Sequence, residues 1–479
     1  MKFRNLFVPV LAAASFCLGA NLQPKDYLFI STHRNPTQIV SDDKVAYVLT
    51  EGGVLLYDYR RQQWADNIAP GLGVNNIAYN PDKNQLLMSA AGGSLLEYNP
   101  SFRRVSNSSA TMQANSATTG TTPADLNGLI LEGDFAFISD ASGSVVRDSY
   151  NRRAAITTAR SFNYDDLWLL TAGQGIFHGS SRRKSAASAW FGLYDPSVTS
   201  VFSDGKSIWF GSSNSAGALV KTKQDLSGWR FYAAQQDYDF PNGAINDMLQ
   251  WRDYLWLATG QGIVRQDMTT GKFRLYRKMQ GSTDIAAYRL FVHEGRLYAG
   301  TANGVAVIDA PESDFRASEL PIGIVPKGND FCSADKDLWT ATSLGLFVLT
   351  KLGWKSINDM TKQAAPEAYG SNVSTVGFHD STLYWASPDR VYEKPRKQPG
   401  KTLLDVAGVF RMVFEGDVLY AGSPIGVRAY NLKNRLWTDF LLSDGIPGTK
   451  VQCFFVKDGV LWMGTDQGVM RINAQGYLP

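Results

Sequence analysis

Short apolar runs separated by polar turns recur along the whole chain. In the clearest copy, Val451-Gln-Cys-Phe-Phe-Val456 predicts a strand, Lys457-Asp-Gly459 a turn and Val460-Leu-Trp-Met-Gly-Thr465 a second strand. Asp466-Gln-Gly468 then makes another turn, and Val469-Met-Arg-Ile472 a third strand. β-Branched and aromatic residues fill the runs while Gly and Asp bound them, as in β-hairpins. No stretch keeps a 3.6-residue apolar period long enough for an amphipathic helix.

Aligning the second strands sets one anchor per unit: Tyr47, Leu87, Ala136, Trp168, Trp209, Trp256, Tyr298, Trp339, Tyr384, Tyr420 and Trp462. Their mean spacing of about 41.5 residues is that of four-stranded propeller blades; leucine-rich repeats are shorter, and helical repeats of this length need helices. The prediction is an all-β β-propeller of about eleven four-stranded blades, of the WD40/YVTN-like kind. Most anchors open the pattern aromatic, any residue, small residue, Ser or Thr, as in Trp256-Leu-Ala-Thr259 and Tyr420-Ala-Gly-Ser423. Strand side chains alternate, so the aromatic and the small residue share a face. There the small residue leaves room for bulk from the next blade. Gly follows at the next turn in ten of the eleven units, from Gly53 to Gly468, with Asp389 in its place in the ninth.

The string Leu461-Trp-Met-Gly-Thr-Asp-Gln-Gly-Val469 and its copies resemble the propeller repeats of bacterial two-component regulators. They also resemble the N-terminal propeller region of PorZ-type proteins, which belong to the type IX secretion system. The resemblance covers most of the chain and implies an architecture and a place in the cell envelope.

Eleven blades are more than one ring usually holds. Two long connections, 105–126 and 359–372, divide the array into an outer propeller formed by 21–104 and 373–479, and an inserted one at 127–358. The expected rings hold five and six blades. The last unit lacks a fourth strand, and Asp26-Tyr-Leu-Phe-Ile30 near the N-terminus supplies one, removing an exposed edge.

Composition narrows the function. The 479 residues are 44% hydrophobic and 19% charged, with 47 Lys and Arg against 44 Asp and Glu, which excludes a disordered chain. No basic run is dense enough to track phosphates, so nucleic acid is not an expected partner. Lys2 and Arg4, the apolar run Leu6 to Leu18 and small Gly19 and Ala20 read as a signal peptide, 1–20, cleaved after Ala20. Its apolar run is short of the ~20 residues of a spanning helix, and no transmembrane segment is expected elsewhere. Lipidation at Cys17 is the minor alternative, since Phe16 occupies a place that usually takes a small residue. Cys332 and Cys453 lie in apolar strands of distant units and are read as buried free thiols.

The chemical inventory is sparse. His33, His178, His293 and His379 are isolated in different units, with His33 and His379 expected in solvated turns. Asp42-Asp43 and Asp165-Asp166 are read as turn formers. The segment from Arg182-Arg-Lys184 to Trp190-Phe191 mixes basic and aromatic residues that suit an anionic glycan or partner, although a strand and solvated loop account for it more simply. No catalytic, cofactor-binding or metal-ligating residue is nominated, and no cofactor is expected. The resulting expectation is an exported, non-catalytic binding or scaffolding protein, in the periplasm, at the outer membrane or outside the cell. Its expected partner is an envelope protein or a surface polysaccharide. A propeller lyase or hydrolase and a detached sensor domain of a two-component system are the alternatives.

Overall fold

A computed structural model describes residues 18–19, 22, 26–42, 44–102, 104–109, 120–122, 125–133, 135–140, 143–148, 151–163, 165–213, 218–233, 240, 243–279, 285–320, 325–334, 336–357, 372–396 and 398–478. The expected leader lies almost wholly outside them, as does Cys17. Leu18–Gly19 runs parallel to Thr438 and Asp439. Most of the connection at 359–372 and the centre of 105–126 are also outside them.

Strands and turns make up nearly all of the described chain, and they form ten sheets, most of them four-stranded and antiparallel. This all-β arrangement is consistent with a β-propeller. In chain order the sheets lie at 38–68, 76–107, 130–188, 198–233, 245–276, 287–318, 328–356, 375–404, 411–441 and 451–473. The turn motif has a direct physical cause. In most copies the Thr or Ser that closes the motif donates to the carbonyl of the Gly that ends the turn, as from Thr259 to Gly262 (2.8 Å), Thr342 to Gly345 (2.8 Å) and Thr465 to Gly468 (3.0 Å), whereas the buried Ser212 hydroxyl has no such partner. The donating hydroxyl also accepts from the N–H two residues on, for example Leu344 N to Thr342 Oγ1 (3.1 Å). One side chain thereby satisfies both polar groups of a buried turn.

The small residue makes the close approach between sheets. A Cβ on Gly422 would stand 2.5 Å from the Phe454 ring of the next sheet, and one on Gly464 would stand 2.9 Å from the Val198 carbonyl. The anchor aromatics Tyr47, Trp168, Trp256 and Tyr420 are fully buried.

The third sheet departs from the expected repeat. Arg153–Arg160 pairs with Gly143–Asp148 along its first half and with Asp166–Thr171 along its second, across a bulge at Ile156. One strand thus serves two units. The third and fourth units merge into a single seven-stranded sheet whose far edge carries Ile130–Leu131 parallel to Ser185 and Ala186. The cause is chain length: only 32 residues separate anchors Ala136 and Trp168, too few for separate outer and inner strands.

The contacts between sheets follow the order of the chain over its later part. From the fourth sheet onward each innermost strand packs against the next, and Val451–Lys457 of the tenth packs back against Val198–Ser203 of the fourth. Side chains repeat the link. Thr199 donates to Ile245 O (2.8 Å), Asn246 to Ala287 O (2.7 Å), Asn329 to Val373 O (2.7 Å) and Gln452 to Ser197 Oγ (2.8 Å). The sheets flanking 359–372 are therefore direct neighbours; a long connection does not require distant ends.

The tenth sheet gains its fourth strand from the N-terminal side. Tyr27–Ile30 lies antiparallel to Val469–Asn473, with Ile30 opposite Val469 and Tyr27 opposite Ile472. Phe29 and Ile30 are buried there, and the Ser31 hydroxyl donates to Gln467 O (2.7 Å).

Candidate functional site

Two places bring together polar groups that no local motif announced. The first lies where the innermost strands of the fourth to tenth sheets converge. Asp247 Oδ1 is 3.4 Å from Arg289 Nη1 and 3.5 Å from Arg411 Nη1, and Asp330 Oδ1 is 2.9 Å from Arg289 Nε. Leu290 N donates to Asp247 Oδ2 (3.0 Å), and the Thr375 hydroxyl donates to Asp330 Oδ2. Two carboxylates and two guanidiniums balance in charge. Burial disfavours the Arg289 charge, but the two aspartates outweigh that and raise its pKa. Around Arg411 burial prevails, reinforced by Arg289, and its pKa is lowered. Arginine does not give up its proton in proteins, so this network ties strands together rather than moving protons. Cys453 adjoins it, its thiol pushed up to about 12 by burial, the setting of an inert thiol. Cys332 and Cys453 are both buried and free.

The second place is a cavity of about 210 Å³ at the seam between the third and fourth sheets. Its position begins with His33. Instead of lying in a solvated turn, His33 is only 3% exposed, because the chain after Ile30 threads between the first and third sheets. Thr32 bridges Leu193 in parallel fashion, and Gly173 N and Gly175 N both donate to Arg34 O (3.1 and 3.0 Å). Gly52 and Gly192 close on the imidazole so tightly that a Cβ on either would stand 2.8 Å from it. His33 Nδ1 lies 2.7 Å from Thr50 Oγ1, and burial pulls its pKa down to about 3.

This clamp delivers Arg34 to the cavity. Its Nε donates to Gly173 O (3.2 Å), and its guanidinium lies 4.2 Å above the centre of the Tyr194 ring. Trp190, Tyr194 and Phe231 pack with nearly parallel planes: 22° between Trp190 and Tyr194, and 28° between Tyr194 and Phe231. Phe231 comes from the outermost strand of the fourth sheet, the other two from the chain entering it. Arg152 and Arg153 complete the basic lining. Arg152 is held by Asp148 through two contacts of 2.6 Å, and its Nη1 donates to the Tyr194 hydroxyl (3.4 Å). Three arginines face one aspartate.

The other expectations resolve as follows. In the basic and aromatic segment Ser185–Ser188 forms a strand, Arg182 and Arg183 are exposed, Lys184 pairs with Asp125 (3.0 Å), and Trp190 lines the cavity. His178 stacks on Trp168 at 4.0 Å, and burial lowers its pKa to about 4. His293 is buried with Nδ1 3.1 Å from Ser333 Oγ. His379 ends a strand and stacks on Phe414 at 5.3 Å instead of standing free in a turn. Asp42 and Asp166 do act as turn formers, Asp42 accepting from Lys44 N and Val45 N (both 2.6 Å) and Asp166 from Phe162 N (2.8 Å). Asp43 lies outside the described residues. Among the described residues no group of three His, Cys, Asp or Glu is placed to hold a metal ion, and no helix is long and apolar enough to cross a membrane.

No family model matches this sequence, and no curated protein matches it. Among solved structures it is similar to PorZ, an essential bacterial surface component of the type-IX secretion system of Porphyromonas gingivalis. The identity is 12%, the match covers 92% of this chain and 74% of PorZ, and the TM-score is 0.52. It is also similar to the extracellular domain of the putative hybrid two component system BT3049 from B. thetaiotaomicron (14% identity, 91% of this chain, TM-score 0.49). A third neighbour is the extracellular domain of the putative one component system BT4673 from the same organism (15%, 92%, 0.46). The chain spans 62% and 64% of the length of those two domains. Both kinds of protein that the repeat resembles are thus among its structural neighbours, and the likeness is one of fold.

Proposed function

We propose that this protein is a non-catalytic binding or scaffolding module of the bacterial cell envelope, exported by a leader at 1–20, that holds a partner protein or a surface glycan. The observation that carries the reading is the cavity at the seam of the third and fourth sheets. A preformed concavity between packed units, with aromatic walls and a few converging charged groups, is what binding sites offer. Structural neighbours that are extracellular or surface components support the envelope setting.

We further propose a different division of the array from five and six blades. The fourth to tenth sheets form one ring of seven, closed by Tyr27–Ile30, and the first three sheets pack beside it. Enzymatic turnover at the centre of that ring is disfavoured, because the converging aspartates are already paired to arginines across it. The test immobilises the mature protein, with Arg34→Ala/Trp190→Leu as control, and passes envelope extract over both. Retention of one envelope component by the native protein alone supports binding. Turnover of a polysaccharide lyase or lactonase substrate, abolished by Asp247→Asn, with nothing retained, would refute it.

A further inference from the structure

The outer edge of the ninth sheet is paired with Leu18–Gly19, a segment of the leader proposed above. We propose that removal of residues 1–20 opens this edge as a docking surface for an extended apolar segment of a partner protein, which adds to it as a parallel strand. The inference rests on the export reading above and narrows the partner from protein or glycan to polypeptide.

Charge singles the edge out. An outermost strand presents unpaired N–H and C=O groups, and a Lys or Arg on it discourages pairing with another chain. In the fourth to eighth sheets the outermost strand carries such a residue, in turn Arg230, Arg274, Arg316, Lys355 and Lys401, and each of these sheets stops at four strands. The outermost Ser185–Ser188 of the third sheet carries no charge, and Ile130–Leu131 covers it in parallel. Trp437–Leu441 of the ninth has one charged residue, Asp439, which Arg428 holds through contacts of 2.7 and 2.8 Å. From the third sheet to the ninth, among the described residues, the edges without a basic residue are the ones that carry an added strand.

Burial agrees. Thr438, Asp439 and Phe440 are 4%, 4% and 0% exposed, whereas Arg316 and Ala317, or Lys401 and Thr402, on the outermost strands of two other sheets are exposed.

Backbone direction fixes which groups the leader leaves open. Leu436 O accepts from Asn431 N (2.8 Å) on the inner side of the strand, while Leu441 N donates to Asp444 (2.9 Å) on the outer side. Successive residues turn their N–H and C=O to opposite sides, so Trp437 and Asp439 present theirs outward. A polypeptide carries matching groups along its backbone, the basis of strand addition; a sugar chain does not. The incoming strand meets Phe440, with the Tyr477 ring 6.3 Å beyond it, on one face and Trp437 on the other. Such surroundings fit an apolar segment.

The test uses the mature full-length protein and a labelled peptide of residues 15–22 with Cys17→Ser, read by fluorescence anisotropy. The mature protein is expected to bind it, and the chain that retains its leader to bind at least tenfold more weakly. Asp439→Pro removes the outward N–H while sparing the bonds to the inner neighbour, and should weaken binding at least tenfold. Asp439→Ala loses the Arg428 pair but keeps the N–H, and should bind within about threefold of the native protein. Equal melting of these two variants checks the fold. Where the proline variant melts lower, a peptide N-methylated from Leu18 to Ala20 decides, with an expected loss of at least tenfold on the unaltered protein. The inference is overturned if the mature protein does not bind the peptide, or if N-methylation leaves binding unchanged. It is also overturned if intact mass shows that the exported protein keeps Leu18 and Gly19, or if the mature protein dimerises through this edge. An envelope component retained equally by native protein and Asp439→Pro defeats this inference and leaves the binding function standing. If no component is retained, that function falls, while the peptide still decides this inference.

Discussion

Arg411 reaches across the converging inner strands to Asp247, with Nη1 3.5 Å from Oδ1, although the two stand 164 positions apart in the chain. Arg411 keeps 30% of its side-chain surface accessible, whereas Asp247 keeps 6%. Asp247 also holds Arg289 and the Leu290 N–H. Asp247→Ala is therefore expected to destabilise the protein by about 3 kcal/mol, since removing one partner strands buried charges. Arg411→Met should cost less, because Asp247 keeps Arg289. Urea unfolding of the two variants checks the order; equal costs would contradict the network.

Phe29 is expected to behave as a core residue although it precedes the first complete sheet. Phe29→Ala should cost about 3–5 kcal/mol, the usual range for a buried Phe. Deleting 22–31 should bare the edge at Val469–Asn473 and promote association. Denaturant melts and light scattering of both variants provide the measurement. A deletion variant that melts normally and stays monomeric would show that the edge strand is dispensable.

Gly422→Ala should destabilise by about 1–3 kcal/mol through overpacking, because its Cβ meets the Phe454 ring at 2.5 Å. Phe454→Leu in the same chain should recover part of the loss, since the two sites share one contact. Additive losses would place the strain elsewhere.

Stability should fall as pH drops from about 6.5 toward 3. His33 and His178 are neutral in the fold, their pKa values pulled down to about 3 and about 4 by burial, while the unfolded chain protonates near 6.5. The unfolded state then binds more protons over that window, so acid favours it. At most about 4–5 kcal/mol is at stake for His33. His33→Gln should flatten the dependence of melting temperature on pH, whatever its effect at neutral pH. An unchanged slope would show that the imidazole is not the titrating group.

Thiol reagents should leave Cys332 and Cys453 untouched in the native protein at pH 8. Burial raises both thiols, Cys453 to about 12, so little thiolate exists to react. Mass spectrometry after iodoacetamide treatment should find no labelling without denaturant and two labelled sites with it.

The sequence by itself determined the strands, the turns and the inward aromatics, because those are set over a few neighbouring residues. Alternation puts Trp256 and Ala258 on one face, and Thr259 can cap its turn only when Gly262 stands three residues on. The N-terminal strand was also legible, from the fourth strand missing after Ile472. The merger of two units could have been read from the 32-residue spacing of Ala136 and Trp168. What only the tertiary structure decided was which distant segments meet. Asp247, Arg289, Asp330 and Arg411 sit in four separate repeats and look like ordinary strand residues until the inner strands converge. Arg34 and Phe231 line one cavity although 197 positions separate them. Local periodicity carries no information about such pairs, because their proximity comes from sheets packing on sheets. The histidine of a polar turn became buried for the same reason: two sheets closed over it.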